Sequence, residues 1–455
     1  MFKHHIPQTS QQYDLGDGLI ARWSTPEDTE QIAWIQSHVF RGNPEEEISP
    51  RLTSTVRNYM RGDFPLMGPN DFAVVEDTRL PAGEQRIVAA TCLLREQWDF
   101  AGIPLMLGRP ELVVSHPDYR NKGMIRAIFD LLHSRSEAEG HLVQGITGIP
   151  YFYRQFGYEF ALELTGQCRL PQELLPALAE GSEEPFRFRN AELADIPFLQ
   201  EIYDRQRVDK LVTVLLDQAW WEYQFHYRDK PGFKWNIQIV MDQQGQSVGF
   251  VILPDTRGHH LYSPLMAFVP GINLQALLPS LLRGLKSLGE QLPPRIQKYA
   301  QFKGLILSLP REHPILQVLG NSYGADYGKP YAWYLRVNNL PHFLHRIKPV
   351  LEQRLAVSPL SGYSGDLKLD FYRGGLRLTF EQGRIATIED WRRPVAWEDN
   401  EESGFPPKVF WQILFGYRSL EELEFAYPDV SVKDEYRLLL KTLFPKQNSW
   451  AFPLG

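Results

Sequence analysis

Between an apolar run ending at Ser115 and an amphipathic stretch beginning near Met124, the segment "SHPDYRNKGMI" sets Arg120, Lys122 and Gly123 in one short loop. The apolar positions Met124, Ile125, Ile128, Leu131 and Leu132 recur at helical spacing, so the loop delivers its cations to a helix N-terminus. A helix start offers unsatisfied N–H groups and about half a positive charge, which suits phosphate oxygens. Arg120 and Lys122 add mobile charge, and Gly123, lacking a Cβ, lets a ligand approach the backbone. That combination suits a pyrophosphate. The plain alternative is a strand-to-helix link with solvated cations. Neither a GxxxxGK[ST] loop nor a GxGxxG fingerprint is present.

Other chemistry-bearing groups are weaker. His342 and His345 have helical spacing but no acidic or cysteine partner nearby, which predicts a surface helix and no metal site. His4-His5 and His259-His260 read as terminus and loop, and the aromatic stretch at 220–228 reads as packing. Ser115 lacks a GxSxG elbow, and its neighbour His116 points to the other face of a strand, so a serine nucleophile is not expected.

At 455 residues the chain exceeds one comfortable core and predicts several units. With 43% hydrophobic and 23% charged residues it is ordinary globular material without an apolar run long enough for a membrane span. The opening residues lack the apolar core of a signal peptide. Cys92 and Cys168 are too few for a disulfide framework, which fits a reducing cytoplasm. A net charge of −7 argues against a general nucleic-acid partner.

The elements that must position the loop are a strand at 19–24, a helix after it with Thr25 as cap, a helix at 48–61, and strands at 71–77, 86–94 and 111–117. The helix 120–139 follows, then a strand, a short helical piece "PYFYRQFG" and another strand, giving a mixed α/β sheet. Residues 186–203, 265–285 and the segment beginning "GLILSLP" repeat this order, so a second unit is predicted as a copy of the first. Its junction reads "PGINLQ", without cations, and is not expected to hold the same ligand. From about residue 336 alternation across turns at Gly374-Gly375 and Gln382-Gly383 predicts a three-strand meander, followed by helices with capping-box spacings at Ser419/Glu422 and Ser431/Asp434. The aromatic, uncharged ending "NSWAFPLG" predicts a packed C-terminal segment.

"VVSHPDYRNKGMI" resembles the acetyl-coenzyme A motif of the GCN5-related N-acetyltransferases (GNAT), an apolar strand, a Pro-containing link and [RQ]xxGx[GA] opening a helix. Arg120 and Gly123 match, while Ile125 stands where Gly or Ala is usual. "YFYRQFGYEF" resembles the late segment of that family, and the layout of the whole chain is similar to the enhanced intracellular survival (Eis) family.

The resemblance implies an α/β (α+β) fold of three parts: a catalytic GNAT unit at 1–165, a degenerate copy at 166–335 and a small sterol-carrier-protein-like domain at 336–455. It implies a bacterial, cytoplasmic N-acetyltransferase using acetyl-CoA and no metal, acting on an aminoglycoside-like amine, a polyamine or a lysine side chain, and assembling as a homo-oligomer, a hexamer. Tyr153 is then the general acid, with Tyr151 and Tyr158 as rivals, and the terminal carboxylate of Gly455 the base. Val113, Val114 and Ser115 would pair with the pantetheine arm, Arg120, Asn121, Lys122, Gly123, Met124, Ile125 and Arg126 would hold the pyrophosphate, and Gly148 and Ile149 would flank the thioester. Two other readings predict different behaviour: an acyl-CoA or lipid-binding module without turnover, and a protein lysine acetyltransferase.

Overall fold

The computed structural model describes residues 11–41, 43, 45–48, 50–226, 235–393 and 403–454. It is the mixed α/β architecture expected. Strand Leu19–Trp23 alternates buried and half-buried side chains, as a strand with one covered face must. Thr25 caps the turn that follows, where its N–H donates to the Asp28 carboxylate at 2.8 Å, and helix Thr29–Val39 follows. Helix Pro50–Met60 and strand Phe72–Asp77 also form where predicted.

The next two strands run well beyond their expected lengths, Ile87–Phe100 and Ile103–Ser115, and meet in a tight hairpin at Ala101 and Gly102, both with positive φ. Their polar letters disguised them. Arg95, Glu96 and Arg109 break the apolar run in sequence, yet all three are buried, because each finds an opposite charge in the fold.

The main sheet runs in the order Tyr13–Asp14, Leu19–Trp23, Phe72–Asp77, Ile87–Phe100, Ile103–Ser115, Val143–Ile146, Ala332–Val337 and Glu159–Glu163. Val212–Val214 adds to the far end of Ile87–Phe100. Ile103–Ser115 pairs with Val143–Ile146 in parallel only at Leu107 and Gly108, so the two strands part beyond that point. Helix Met124–Ala138 crosses between them and buries Ile128, Phe129, Leu131 and Leu132.

Ala332–Val337 lies between Val143–Ile146 and Glu159–Glu163, antiparallel to both. Cys168–Pro171 pairs with Gly304–Leu307 and Asp326–Tyr327, inside the expected second unit. Ala332–Val337, from the end of that expected unit, instead completes the main sheet. The second unit also holds a four-stranded sheet, Arg187–Asn190, Trp235–Met241, Ser247–Pro254 and Leu265–Phe268, with helix Leu274–Gln291 packed by its leucines.

The third unit contains helix Leu340–Ala356 and the predicted meander, Gly365–Asp370, Gly375–Glu381 and Arg384–Trp391, with Gln382 and Gly383 both at positive φ in the second turn. Ser403–Gly404 joins it in parallel. Ser419 caps Leu420–Ala426 with Glu422 as expected. Ser431 does not cap Asp434–Leu443: its backbone exchanges hydrogen bonds with Gly404, and Lys433 takes the cap position. His342 and His345 are exposed on their helix, as predicted. The C-terminal segment is packed, with Trp450, Phe452 and Leu454 almost fully buried and the backbone N–H of Trp450 donating to the Val212 carbonyl at 2.7 Å. Among the described residues no helix is long and apolar enough to cross a membrane.

Candidate active site

Opposite Thr91 the strand Ile103–Ser115 bulges. Pairing slips between Ala90 and Cys92, and Leu112 takes a left-handed conformation, φ 55°. The bulge is held from two sides. Gln36, fully buried on helix Thr29–Val39, donates to the Leu112 carbonyl at 2.7 Å, and the Thr91 hydroxyl donates to the Glu111 carbonyl at 2.9 Å. A left-handed branched residue is strained, so these contacts are what keep it there. Because the neighbouring strand has already diverged, the edge carrying Val113, Val114 and Ser115 faces the gap in the sheet.

The loop beyond the bulge is fastened by Tyr119, whose hydroxyl donates to Asp77 at 2.8 Å, while the Lys122 ammonium lies 5.2 Å from the Tyr119 ring centre. Asn121 and Gly123 both have positive φ, 65° and 74°, curving the chain so that successive N–H groups turn toward one side. Gly123 caps helix Met124–Ala138, and no atom lies within 4 Å of where its Cβ would sit. A side chain there would project into the space a ligand needs. Arg120 is exposed.

One cavity of about 630 Å³ collects these groups. Val113, Val114, Ser115, Arg120, Asn121, Lys122, Gly123, Met124, Ile125, Arg126 and Ile149 line it, together with Tyr153 and the aromatic residues Phe40, Phe152 and Phe156. Gly148, the remaining expected residue, sits behind Tyr153: a Cβ on it would come within 3.0 Å of the tyrosine hydroxyl, so only glycine lets the ring lie there. The residues present fit a pyrophosphate at the helix start and an extended arm along the strand.

The three tyrosines separate cleanly. Tyr158 is fully buried, its hydroxyl 2.9 Å from His133 Nε2. Tyr151 is exposed and lies under the Arg154 guanidinium. Only Tyr153 faces the cavity, packed against Phe129 and Phe152, and no group among the described residues hydrogen-bonds its hydroxyl. Burial pushes its phenol well above the ordinary range, and the Glu111 charge pushes the same way. It stays protonated at neutral pH.

A second cavity, about 580 Å³, opens on the other side of the bulge and shares Phe40 with the first. Glu111, Leu112, Tyr59 and Thr55 form its inner wall. Glu111 accepts from Arg109 at 2.7 Å, and Arg109 also donates to Glu96 and to the Leu454 carbonyl. Gly455, expected as the base, lies outside the described residues. Gln36, Arg109 and Glu111 were not singled out from sequence; their one signal there is a polar letter inside an otherwise apolar helix face or strand. Among the described residues no group of His, Cys, Asp and Glu forms a metal cluster.

Residues 21–161, which contain the bulge, the loop and Tyr153, match the family described as acetyltransferase (GNAT) domain. The chain carries a GNAT acetyltransferase domain. It is thereby an enzyme of the N-acetyltransferase type. No curated protein matches. Solved structures match across nearly the whole chain at low identity, which shows a shared fold. A GCN5-related N-acetyltransferase from Anabaena variabilis has 14% identity and a TM-score of 0.63, over 95% of this chain and 99% of that one. A conserved protein of unknown function from Enterococcus faecalis, a probable N-acyltransferase, has 16% identity and a TM-score of 0.65, over 98% and 100%. Eis1 from Mycobacterium abscessus has 12% identity and a TM-score of 0.56, over 96% and 100%. The likeness therefore extends well past residues 21–161.

Proposed function

We propose that the GNAT domain transfers acetyl from acetyl-CoA to a primary amine by direct attack in a ternary complex. The observation that carries this is the convergence of the left-handed bulge, the cationic helix start and an unbonded Tyr153 on one cavity that meets a second at Phe40.

In this reading the pyrophosphate rests on the N–H groups of 121–126 beside Arg120 and Lys122, and the pantetheine arm lies along Val113–Ser115 as an added strand. The acetyl carbonyl reaches the bulge. A neutral amine from the second cavity attacks the carbonyl carbon, the C–S bond breaks, and Tyr153 gives its proton to the departing thiolate. That transfer is uphill toward a thiolate of pKa about 8.5, so it is coupled to collapse of the tetrahedral intermediate, whose positively charged nitrogen returns a proton to the phenolate. The proton that the ammonium form of the substrate must lose before attack goes to a carboxylate at Gly455. What supports this is the preceding residue, Leu454, which is buried and bound to Arg109 beside Glu111.

The finer family reading, an Eis-like enzyme with a sterol-carrier-like third unit and a hexameric assembly, is part of the proposal. Its first two parts are supported by the order of helix, meander and helices after residue 340 and by the reach of the Eis1 likeness. Thiol release from acetyl-CoA with aminoglycosides, polyamines and lysine peptides, run beside Tyr153→Phe, tests the function. Turnover that depends on Tyr153 supports it, and acetyl-CoA binding without turnover of any amine sinks it.

A further inference from the structure

The helix that carries Tyr153 is short, Phe152–Phe156, and it opens on a strained residue. Tyr151 precedes it with φ 63°, a conformation that a tyrosine seldom adopts. Its side chain is 70% exposed, so core packing does not hold it there. Its backbone does. The Tyr151 carbonyl accepts from the Arg154 N–H at 3.2 Å, closing the first turn. The Tyr151 N–H donates to the hydroxyl of Tyr334 at 3.1 Å, across 183 positions of chain.

Tyr334 lies outside residues 21–161, on the strand Ala332–Val337 that completes the main sheet. The pairing of that strand with Glu159–Glu163 slips between Trp333 and Tyr334. Neighbours on a strand face opposite sides, and here one side leads to the C-terminal segment and the other to Tyr153. Trp333 donates its indole N–H to the Ala451 carbonyl at 3.0 Å. Tyr334, 5% exposed, packs against Tyr153, with ring centres 6.3 Å apart, and against Phe160. Among the described residues, the Tyr151 N–H is the one group that hydrogen-bonds the Tyr334 hydroxyl. The same strand also reaches the other end of the short helix: a Cβ on Gly157, which ends it, would come within 3.2 Å of Arg336.

We infer that Tyr334 is a positioning residue for acetyl transfer, keeping Tyr151 left-handed so that the turn directs Tyr153 into the cavity. The inference rests on the reading of Tyr153 as general acid. Without the hydroxyl at 334, the Tyr151 N–H loses its acceptor and the strained turn loses what opposes its relaxation. A relaxed turn rotates the helix start and carries the Tyr153 hydroxyl off the departing thiolate, a small displacement with a large kinetic effect. A phenylalanine at 334 keeps the ring contacts and removes only the acceptor. The aim of the acid is thus set by a strand from beyond the matched domain.

The test is a cycle of wild type, Tyr334→Phe, Tyr153→Phe and the double variant. Thiol release from saturating acetyl-CoA is followed with an aminoglycoside, spermine and a lysine peptide as acceptors. We expect kcat to fall about tenfold in Tyr334→Phe and about 100-fold in Tyr153→Phe. The KM for acetyl-CoA and the melting temperature should change little, and the double variant should match Tyr153→Phe alone. A residue that acts only through the Tyr153 hydroxyl has nothing left to aim once that hydroxyl is gone.

A merely structural role costs the same factor in both backgrounds. A double variant about tenfold below Tyr153→Phe therefore overturns the inference and leaves the acid in place, as does a fully active Tyr334→Phe. A fully active Tyr153→Phe, or a wild-type chain that acetylates no amine, sinks the acid reading and this inference with it. Tyr151→Pro approaches the same turn from its exposed side, removing the N–H and forbidding positive φ. Its kcat should fall as far as that of Tyr334→Phe, and it decides the matter should Tyr334→Phe not fold; full activity in Tyr151→Pro overturns the inference.

Discussion

Arg109 Nη1 lies 2.7 Å from the carbonyl oxygen of Leu454, a contact across 345 positions of chain that fastens the C-terminal segment to the middle strand of the GNAT domain. The same guanidinium pairs with Glu96, which is fully buried, and burial raises that carboxyl's proton affinity despite the pairing. Replacing one member of a buried pair strands the other. Arg109→Met should cost about 3–5 kcal/mol of unfolding free energy, read from denaturant melts. A loss under about 1 kcal/mol would mean that Glu96 is solvated or protonated without its partner.

Tyr153→Phe should lower kcat by about 100-fold while changing acetyl-CoA affinity little, because the ring's packing survives and only the proton is lost. The pH dependence follows from the raised phenol. A general acid works only while protonated, so raising its pKa extends activity upward, and no alkaline limb from this group should appear below about pH 10. A descending limb near pH 8 that disappears in Tyr153→Phe would show a phenol far more acidic than its burial implies.

Gly123→Trp should abolish acetyl-CoA binding in calorimetry with the fold retained. The position points into open space, and its left-handed backbone costs a non-glycine residue only about 1–2 kcal/mol. Unchanged affinity would move the pyrophosphate elsewhere.

Gln36→Leu removes the donor that holds the Leu112 carbonyl in a buried site. Its effect should be kinetic before it is structural: kcat/KM for acetyl-CoA down by about tenfold as the bulge relaxes, with the melting temperature nearly kept, since Leu matches the surrounding core. Normal kinetics in a stable Gln36→Leu protein would show the bulge to be held by Thr91 alone.

His313 is buried between Gln206 and the Met266 carbonyl, and burial brings its pKa down to about 4. An unfolded histidine titrates near 6.5, so below that pH the unfolded chain takes up a proton that the folded one refuses. Stability from this group is complete above about pH 6.5, falls as pH drops toward 4 and is level below it. At about 1.4 kcal/mol per tenfold change in proton affinity, the loss reaches roughly 3 kcal/mol. His313→Gln should flatten the profile between pH 6.5 and 4 in denaturant melts, and an unaltered slope would assign it to His133 and His141, which burial also depresses.

The parts of this molecule that its sequence determines are those built from neighbours in the chain. The helix start at Gly123 with its cations, the turn at Gln382-Gly383 and the Ser419 cap all formed as read, because their geometry depends on a handful of consecutive residues. The match of residues 21–161 to the GNAT family agrees with what that short motif implied. Tertiary structure decided the rest. It extended two strands through buried charges whose partners lie elsewhere in the fold, and it set Ala332–Val337 between Val143–Ile146 and Glu159–Glu163 in the main sheet. It set Tyr153, and neither Tyr151 nor Tyr158, in the cavity lining, and it brought Arg51 and Arg295 to one cavity across more than two hundred residues of chain. Pairing between strands and between charges is set by what comes close in space, and contact partners far apart in sequence leave no local pattern from which to read them.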